Sequence, residues 1–438
     1  MGLLKLKLHW QILIALALSV VVGLLVGEDS AIFGVTFYAI FDFVGQLFLN
    51  ALKMLIVPLI VSSIIVGVAG IGSSENLGRL GGKTIGYYAM TSFFAIVVGL
   101  AVVNLVQPGV VLDDQGQQAS AEEVFGLTAD AAELETQFAD KGADDVVAIF
   151  LRMIPTNVVA AASAGQMLGL IFFSLLYGFF IARIDNEYAE VQYRFWDGMF
   201  NIMMRITDLI MRFAPLGVFA LVAKTVASTG VEAFIPLAKF FFTVVAALGI
   251  HFLVTLPLLL RFLGRVRPIW HYRAVSPALL TAFSTASSSA TLPITMECVE
   301  KNAGVSNKTT SFVLPLGATV NMDGTALYEC VAVMFIAQAY GVEMTLATQF
   351  TVVLLALMTS IGVAGIPAAS LVAIAIILSA VGLPLEGIGL ILAVDRLLDM
   401  MRTAVNVTSD SCGAVIIAKS EGETGILEDE PARRTARP

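Results

Sequence analysis

Five polar residues along one helical stripe limit what this chain can become more than any other feature. The stretch ILAVDRLLDMMRTAVNVTSDSCGAVIIAK, residues 391–419, has flanks as apolar as a bilayer-crossing helix, yet its middle carries Asp395, Asp399, Arg402, Asn406 and Asp410. Their spacings of 4, 3, 4 and 4 residues put all five on one face of a helix. A single Asp or Arg at mid-membrane costs roughly 2.5–3.5 kcal/mol on insertion scales, so such a cluster survives only against protein, water or a ligand. Two readings are open: a self-neutralising structural network inside a helical bundle, or a ligand site. Intramembrane charge favours the second by default.

The rest of the chain makes the membrane setting firm. Of 438 residues 58% are hydrophobic and 13% charged, the range of polytopic membrane proteins. The formal charge of −9 is local, because ten acidic residues between Asp113 and Asp145 face Lys141 alone. No basic tract suggests nucleic acid. Cys298, Cys330 and Cys412 are isolated in apolar surroundings and read as small buried hydrophobes rather than a disulfide or metal motif. The N-terminus reads as an uncleaved first span, with no small-residue cleavage site after its apolar run.

In chain order the apolar runs predict spans at about 10–27, 35–70 and 83–107, an acidic extramembranous loop at 109–145, an interrupted stretch at 146–163, and spans at about 166–183, 192–226 and 233–262. The fifth of these spans contains a break at Pro215–Gly217, and the third carries a hydroxyl patch, Tyr88, Thr91 and Ser92. Basic residues concentrate in 261–273, which places that end in the cytoplasm, together with both termini and the 71–83 loop bearing Arg79 and Lys83.

Beyond residue 275 the pattern changes. Residues 276–302 are apolar at both ends with a Ser/Thr run between, too short to cross twice but long enough to enter and leave by one face as two half-helices. Ser287, Ser288 and Ser289 form the tip, and Pro293 falls where the returning helix is expected to start. Residues 346–382 repeat the design, with a tip at Ser360–Gly365 and Pro367 opening the return. A polar-broken span is expected after each: GATVNMDGTALYE at 317–329, and the opening stripe. Two re-entrant hairpins entering from opposite faces, each followed by a discontinuous helix, point to a binding site at the midplane.

The donors and acceptors gathered there define a ligand. Arg402 offers a planar fork for a carboxylate and Asp399 a carboxylate for an ammonium. Asn406, Thr403, Thr325 and the Ser287–Ser289 tip supply neutral donors for a second carboxylate, aided by half-helix N-termini. One ammonium and two carboxylates make an acidic amino acid the simplest fit. Asp323, Asp410, Asn321 and carbonyls freed by unwinding near Gly317 and Thr319 are oxygen-only, which suits Na⁺. The alternative for Asp323 and Asp410 is protonation or a hydrogen bond to backbone.

SSSATLP at 287–293, NMDGTALYE at 321–329, SIGVAGIP at 360–367, LLDMMRTAVNVTSD at 397–410 and APLGVFAL at 214–221 together resemble the glutamate transporter family of dicarboxylate/amino acid:cation symporters. The resemblance implies an all-α polytopic fold of eight transmembrane helices and two inverted re-entrant hairpins. It implies scaffold helices at 1–75 and 146–228, a moving transport unit at 76–108 and 229–420, a cytoplasmic tail at 421–438, and a homotrimer. By the same resemblance Asp399 takes the amino group, Arg402 and Thr325 the side-chain carboxylate, and Asn406 and Ser288 the main-chain carboxylate. Ser287, Ser289, Thr403, Gly365 and Ile366 complete the substrate set. One cation site corresponds to Gly317, Asn321, Asn406 and Asp410. A second corresponds to Thr319, Ser360, Ile361 and Val363, and a third to Tyr88, Thr91, Ser92, Asn321 and Asp323. Glu329 matches a proton-carrying glutamate, or is a hydrogen-bonded structural carboxyl. Positions where some relatives carry a further arginine are Ala286 and Met400, leaving Arg402 as the only guanidinium expected near the site. Asp395 receives no ligand.

The expected function is import of glutamate or aspartate across a cell membrane, bacterial inner membrane by preference, coupled to Na⁺, H⁺ or both. Dicarboxylate transport is opposed by Asp399, which would repel a second anion. Neutral amino acids would leave Arg402 unpaired. An anion channel fits the tightly paired site less well than occlusion and release. An enzyme lacks both a zinc motif and a nucleophile–base pair.

Overall fold

In a medium without water each backbone N–H and C=O must be satisfied within the protein, which favours helices over open strands. The computed structural model describes residues 8–27, 30–32, 34–72, 79–111, 154–164, 167–229, 234–362 and 369–427, and they are overwhelmingly helical. Most of the acidic loop expected at 109–145 lies outside the described residues.

Helix α1 (Leu8–Val26) leads through a small antiparallel pair, β1 (Ala31–Ile32) and β2 (Val35–Thr36), into α2 (Phe37–Gly72). Then come α3 (Arg79–Val106), α4 (Val158–Ser163) and α5 (Met167–Ile181). Helices α6 (Asn186–Met211) and α7 (Ala214–Thr229) meet at a bend of 53°. That bend precedes Pro215 instead of falling at Pro215–Gly217, because a proline in the first turn of a helix lacks only an N–H that had no partner anyway.

The span expected at 233–262 is continuous but contains a widened turn. Helix α8 (Phe234–Ile250) passes through a π-helical turn, His251–Thr255, into α9 (Leu256–Phe262). Pro257 explains the widening, since its ring cannot fit against the carbonyl one α-turn back. Helix α10 (Pro268–Thr285) and α11 (Ser288–Glu297) follow, joined through Ala286 in the left-handed region at φ 50°. This helical pair begins at Pro268, earlier than the expected 276, and Pro293 lies inside α11 instead of opening it. Ser287 caps α11, its hydroxyl accepting from the Ala290 N–H, so the serine run itself starts the return.

Helices α12 (Asn307–Val320) and α13 (Asp323–Ala339) are separated by Asn321 and Met322, within the expected break. Helices α14 (Leu346–Gly362), α15 (Ala369–Val381) and α16 (Ile388–Ser420) complete the chain. The expectation that α16 is also broken is contradicted: it runs unbroken for 33 residues. Its polar middle contains neither Gly nor Pro, and Thr403, Thr408 and Ser411 return their hydroxyls to carbonyls of their own helix.

Helices α1, α2, α5, α6 and α7 pack on one another, whereas α3, α8 and α10–α16 gather around α13 and α16. Every residue of α13 except Gln338 is buried. Among the described residues three helical stretches are long and apolar enough to cross a bilayer, Arg79–Val106, Ile235–Phe262 and Asn307–Ala339, and α6–α7 adds a fourth if the bent pair is one span. Large apolar side chains such as Leu105, Phe242 and Leu280 point outward, as on a multi-pass membrane protein whose outer surface meets lipid. Cys298, Cys330 and Cys412 are buried and free.

The end of α16 is strapped down. Glu421 accepts from Arg79 at 2.5 Å and Lys83 at 2.6 Å, and these two bases hold its carboxyl below the ordinary value. Partial burial would raise the Glu423 carboxyl, but hydrogen bonds from the Thr309 and Ser306 hydroxyls outweigh it and hold the group low. Leu427 donates its N–H to the Ala303 carbonyl at 3.0 Å. Arg79 and Lys83 thus hold the segment that follows α16 against the start of α3.

Candidate functional site

The stripe of α16 faces inward along its whole length: Asp395, Asp399, Arg402, Asn406 and Asp410 are all buried. Its first part is an ionic cluster. Arg402 donates from Nη1 to Asp395 Oδ1 at 3.0 Å, and from Nη2 and Nε to Asp399 Oδ1 at 3.0 and 3.1 Å. The Tyr328 hydroxyl of α13 donates to Asp395 Oδ1 at 2.9 Å, and the Arg402 guanidinium lies 4.4 Å from the centre of the Tyr328 ring. Thr403 is buried and turns its hydroxyl to the Asp399 carbonyl.

Asn406 joins this cluster to the broken helix. Its Oδ1 accepts from the N–H of Gly324 at 2.7 Å and, more weakly, of Thr325 at 3.4 Å, while Nδ2 donates to Thr325 Oγ1 at 3.1 Å. Since Met322, at the N-cap of α13, offers no capping oxygen, a side chain from α16 satisfies that helix start instead. Gly324 permits the approach: a methyl there would lie 2.5 Å from the Arg402 carbonyl oxygen.

Deeper along α16 the polar groups are neutral donors around carboxylates. Asn321 Nδ2 donates to Asp410 Oδ1 and to Ser409 Oγ, both at 2.9 Å, and Thr91 donates to Asn321 Oδ1 at 3.3 Å. Ser92 donates to Asp323 Oδ1 at 2.7 Å, and His251 Nε2 lies 3.1 Å from Asp323 Oδ2, both groups fully buried. Tyr88 gives its hydroxyl to the Val313 carbonyl at 2.7 Å. Around Gly317 the space is closed, since a methyl would sit 2.5 Å from Asp410 Oδ1 and 2.6 Å from the Tyr88 oxygen. The Gly317 carbonyl is not freed by unwinding, because α12 continues to Val320 and the Asn321 N–H bonds that carbonyl at 2.9 Å. Among the described residues no three of His, Cys, Asp and Glu converge on a metal-sized site, and the polar groups beside these carboxylates are amides, hydroxyls and the His251 ring.

Thr319 is exposed, its hydroxyl bonded to Leu316 O and Pro315 O of its own helix, so only its carbonyl is left for an ion. Ser360 is buried and bonds the Leu357 carbonyl. Of the α11 tip, Ser288 is buried and Ser289 exposed. Val363, Gly365 and Ile366 lie outside the described residues, as does the side chain of Ile361. Glu329 is fully buried in α13; its Oε2 accepts from Thr359 of α14 at 2.8 Å, and its Oε1 has no partner among the described residues.

Comparison with known proteins fits this geometry. Residues 8–420 match the sodium:dicarboxylate symporter family. The chain belongs to that family. It is 37% identical over 420 residues to a proton/sodium-glutamate symport protein of Geobacillus stearothermophilus, covering 96% of each chain. It is 36% identical to the proton/glutamate-aspartate symporter of Escherichia coli, over 95% of this chain and 93% of that one. Against human excitatory amino acid transporter 3 the identity is also 36%, over 94% and 86% of the two chains.

Within this family member, two side chains at the site escaped the sequence reading. Arg396 donates from Nη1 to Asp399 Oδ2 at 2.9 Å, which overturns the expectation that Arg402 is the only guanidinium nearby. Its place three residues before Asp399 is the signal, since such neighbours share a helix face. His251 is the other, an intramembrane histidine in the widened turn of the α8–α9 span. A rule that treats every ionisable residue at that depth as functional would have found it.

Proposed function

We propose that this chain is a secondary symporter that imports acidic amino acids, glutamate or aspartate, coupled to Na⁺, H⁺ or both. The observation that carries the reading is the buried pairing of Asp399 with Arg402 on adjoining turns of α16, beside Asn406 and Thr325. An amino acid with a side-chain carboxylate presents the complementary charges, its ammonium to Asp399 and its distal carboxylate to Arg402. The main-chain carboxylate falls to Asn406, Thr403 and the Ser287–Ser289 tip, and Gly365 and Ile366 complete the substrate set. Relatives named as glutamate and glutamate-aspartate symporters support this substrate class.

The coupling cations fall to the oxygen-rich sets: Gly317, Asn321, Asn406 and Asp410; Tyr88, Thr91, Ser92, Asn321 and Asp323; and Thr319 with Ser360, Ile361 and Val363. Glu329 carries a proton when H⁺ takes part, a role supported by its burial and its half-partnered carboxyl. The closer packing of α1, α2, α5, α6 and α7 on one another than on the helices around α13 and α16 supports a scaffold and a moving unit, and hence an elevator-type exchange of sides within a homotrimer. Both termini then lie in the cytoplasm of a cell whose inner membrane holds the trimer. Buried carboxylates paired inside a packed interior, Asp399 with Arg402 and Asp323 with Ser92, favour this carrier over an anion channel.

A dicarboxylate without an amino group is a second reading, and one observation favours it: Asp399 is held by Arg396 as well as Arg402, so its charge is compensated before any ligand arrives. Competition against labelled glutamate uptake in proteoliposomes separates the two. Aspartate should compete strongly and succinate or alanine weakly; equal competition by succinate would give the site to dicarboxylates.

A further inference from the structure

Asp399 is a carboxylate with a guanidinium on each oxygen: Arg402 on Oδ1 at 3.0 Å and Arg396 on Oδ2 at 2.9 Å. The two arginines are held very differently. Arg402 is buried, also bonds Asp395, and lies over the Tyr328 ring. Arg396 keeps 17% of its side chain exposed, reaches Asp399 through Nη1, and has a buried Nε with no partner among the described residues. Arg402 is therefore fixed from several sides and Arg396 by one ion pair among the described residues, so Arg396 is the one of the two that a competing cation displaces more readily.

We propose that Arg396 is a positioning residue that serves as a tethered counter-cation, occupying Asp399 Oδ2 when no substrate ammonium is there and yielding that oxygen to the ammonium when substrate binds. The proposal rests on the reading of Asp399 as the amino-group partner. A buried carboxylate that loses a partner is strongly destabilised, so a carrier that must return across the membrane without substrate needs both oxygens of Asp399 compensated. Two aspartates, Asp395 and Asp399, and two arginines, Arg396 and Arg402, make a set with no net charge that can be carried through a low-dielectric interior. In the loaded carrier the substrate brings its own ammonium, and Arg396 becomes dispensable. Its removal therefore weighs on the unloaded form alone.

Arg396→Gln tests this in proteoliposomes, with homoexchange of labelled glutamate reporting the loaded carrier and net uptake also requiring the unloaded return. Net uptake is expected to fall about tenfold while exchange changes less than about threefold, and glutamate should bind more tightly because the competing guanidinium is gone. Arg396→Lys, which keeps the charge, should restore net uptake in large part. An equal fall of exchange and net uptake in a folded Arg396→Gln protein, or no change in either, would overturn the proposal. If Arg396→Gln does not fold, Arg396→Lys carries the test: its point charge replaces the fork imperfectly, so net uptake should lag exchange, and equal loss of both would again overturn it. Wild-type protein that exchanges neither glutamate nor aspartate would instead remove the reading of the site on which the proposal stands.

Discussion

Two acidic groups, one on α16 and one shared by α16 and α13, solve one problem in opposite ways. Around Asp395 and Asp399 the answer is counter-charge: Arg396 and Arg402 close the set, with Tyr328 completing it. Around Asp410 and Asp323, on α16 and α13, the contacts come from Asn321, Ser92 and the His251 ring, with no Lys or Arg among the described partners. A charge-closed set admits a ligand only by exchange, swapping its internal pairs for the ligand's own charges. A set of carboxylates held by an amide, a hydroxyl and an imidazole, without Lys or Arg, leaves room for a cation to offset their charge. On the reading proposed above, the zwitterion site and the cation sites lie a few turns apart along α16, the latter shared with the start of α13.

The largest expected effect comes from breaking the closed set. Arg402→Cys leaves Asp395 and Asp399 without their shared partner, a loss of about 3–5 kcal/mol for a buried pair, and should abolish glutamate uptake while admitting some neutral amino acid uptake. Radiolabelled uptake with glutamate and with serine checks this, and unchanged glutamate affinity would remove Arg402 from the site. Disturbing the open set should instead show in the ion. Gly317→Ala places a methyl within 2.5 Å of Asp410 Oδ1, and overpacking of about 1–3 kcal/mol should raise the Na⁺ concentration for half-maximal uptake about tenfold or more. A Na⁺ activation curve that does not move would separate Gly317 from the cation.

Glu329→Gln addresses a carboxyl outside both sets. Uptake driven by a pH gradient should lose most of its pH dependence while uptake driven by Na⁺ persists, and full proton-driven uptake in this variant would take Glu329 out of the mechanism. The smallest effect belongs to the strap at the end of α16. Glu421 and Glu423 are held below their ordinary values, so their contribution is complete at neutral pH and is lost as pH falls through those lowered values, below the ordinary carboxyl value of 4.5. Hydrogen exchange of residues 421–427 should be slow at pH 7 and gain an acid-induced opening that Glu421→Gln makes visible already at neutral pH.

How far the sequence reaches is clear from particular residues. The stripe, the break at Asn321–Met322 and the serine tip before α11 were legible, because each is a polar interruption of an apolar run, whereas the start of α11 at its Ser287 cap was not, since a proline at 293 reads as the opening of the returning helix. The continuity of α16 was not, since polar residues alone do not unwind a helix whose hydroxyls can bond their own turn. Nor was the start of α10 at Pro268, where basic residues read as loop although proline opens a helix readily. Arg396 was missed because it is not one of the five stripe positions, although it lies three residues before Asp399 and within reach of it on the helix surface. His251 and Asp323 are 72 residues apart and meet only through the packing of the α8–α9 span against α13, which no local pattern encodes.

The most direct measurement is accumulation of labelled glutamate in proteoliposomes of the purified protein under Na⁺ and pH gradients imposed one at a time. The expected result is accumulation above the external concentration under at least one inward gradient, with none when both are absent. Glutamate that merely equilibrates whatever the gradient, or does not enter at all, would contradict a cation-driven acidic amino acid carrier.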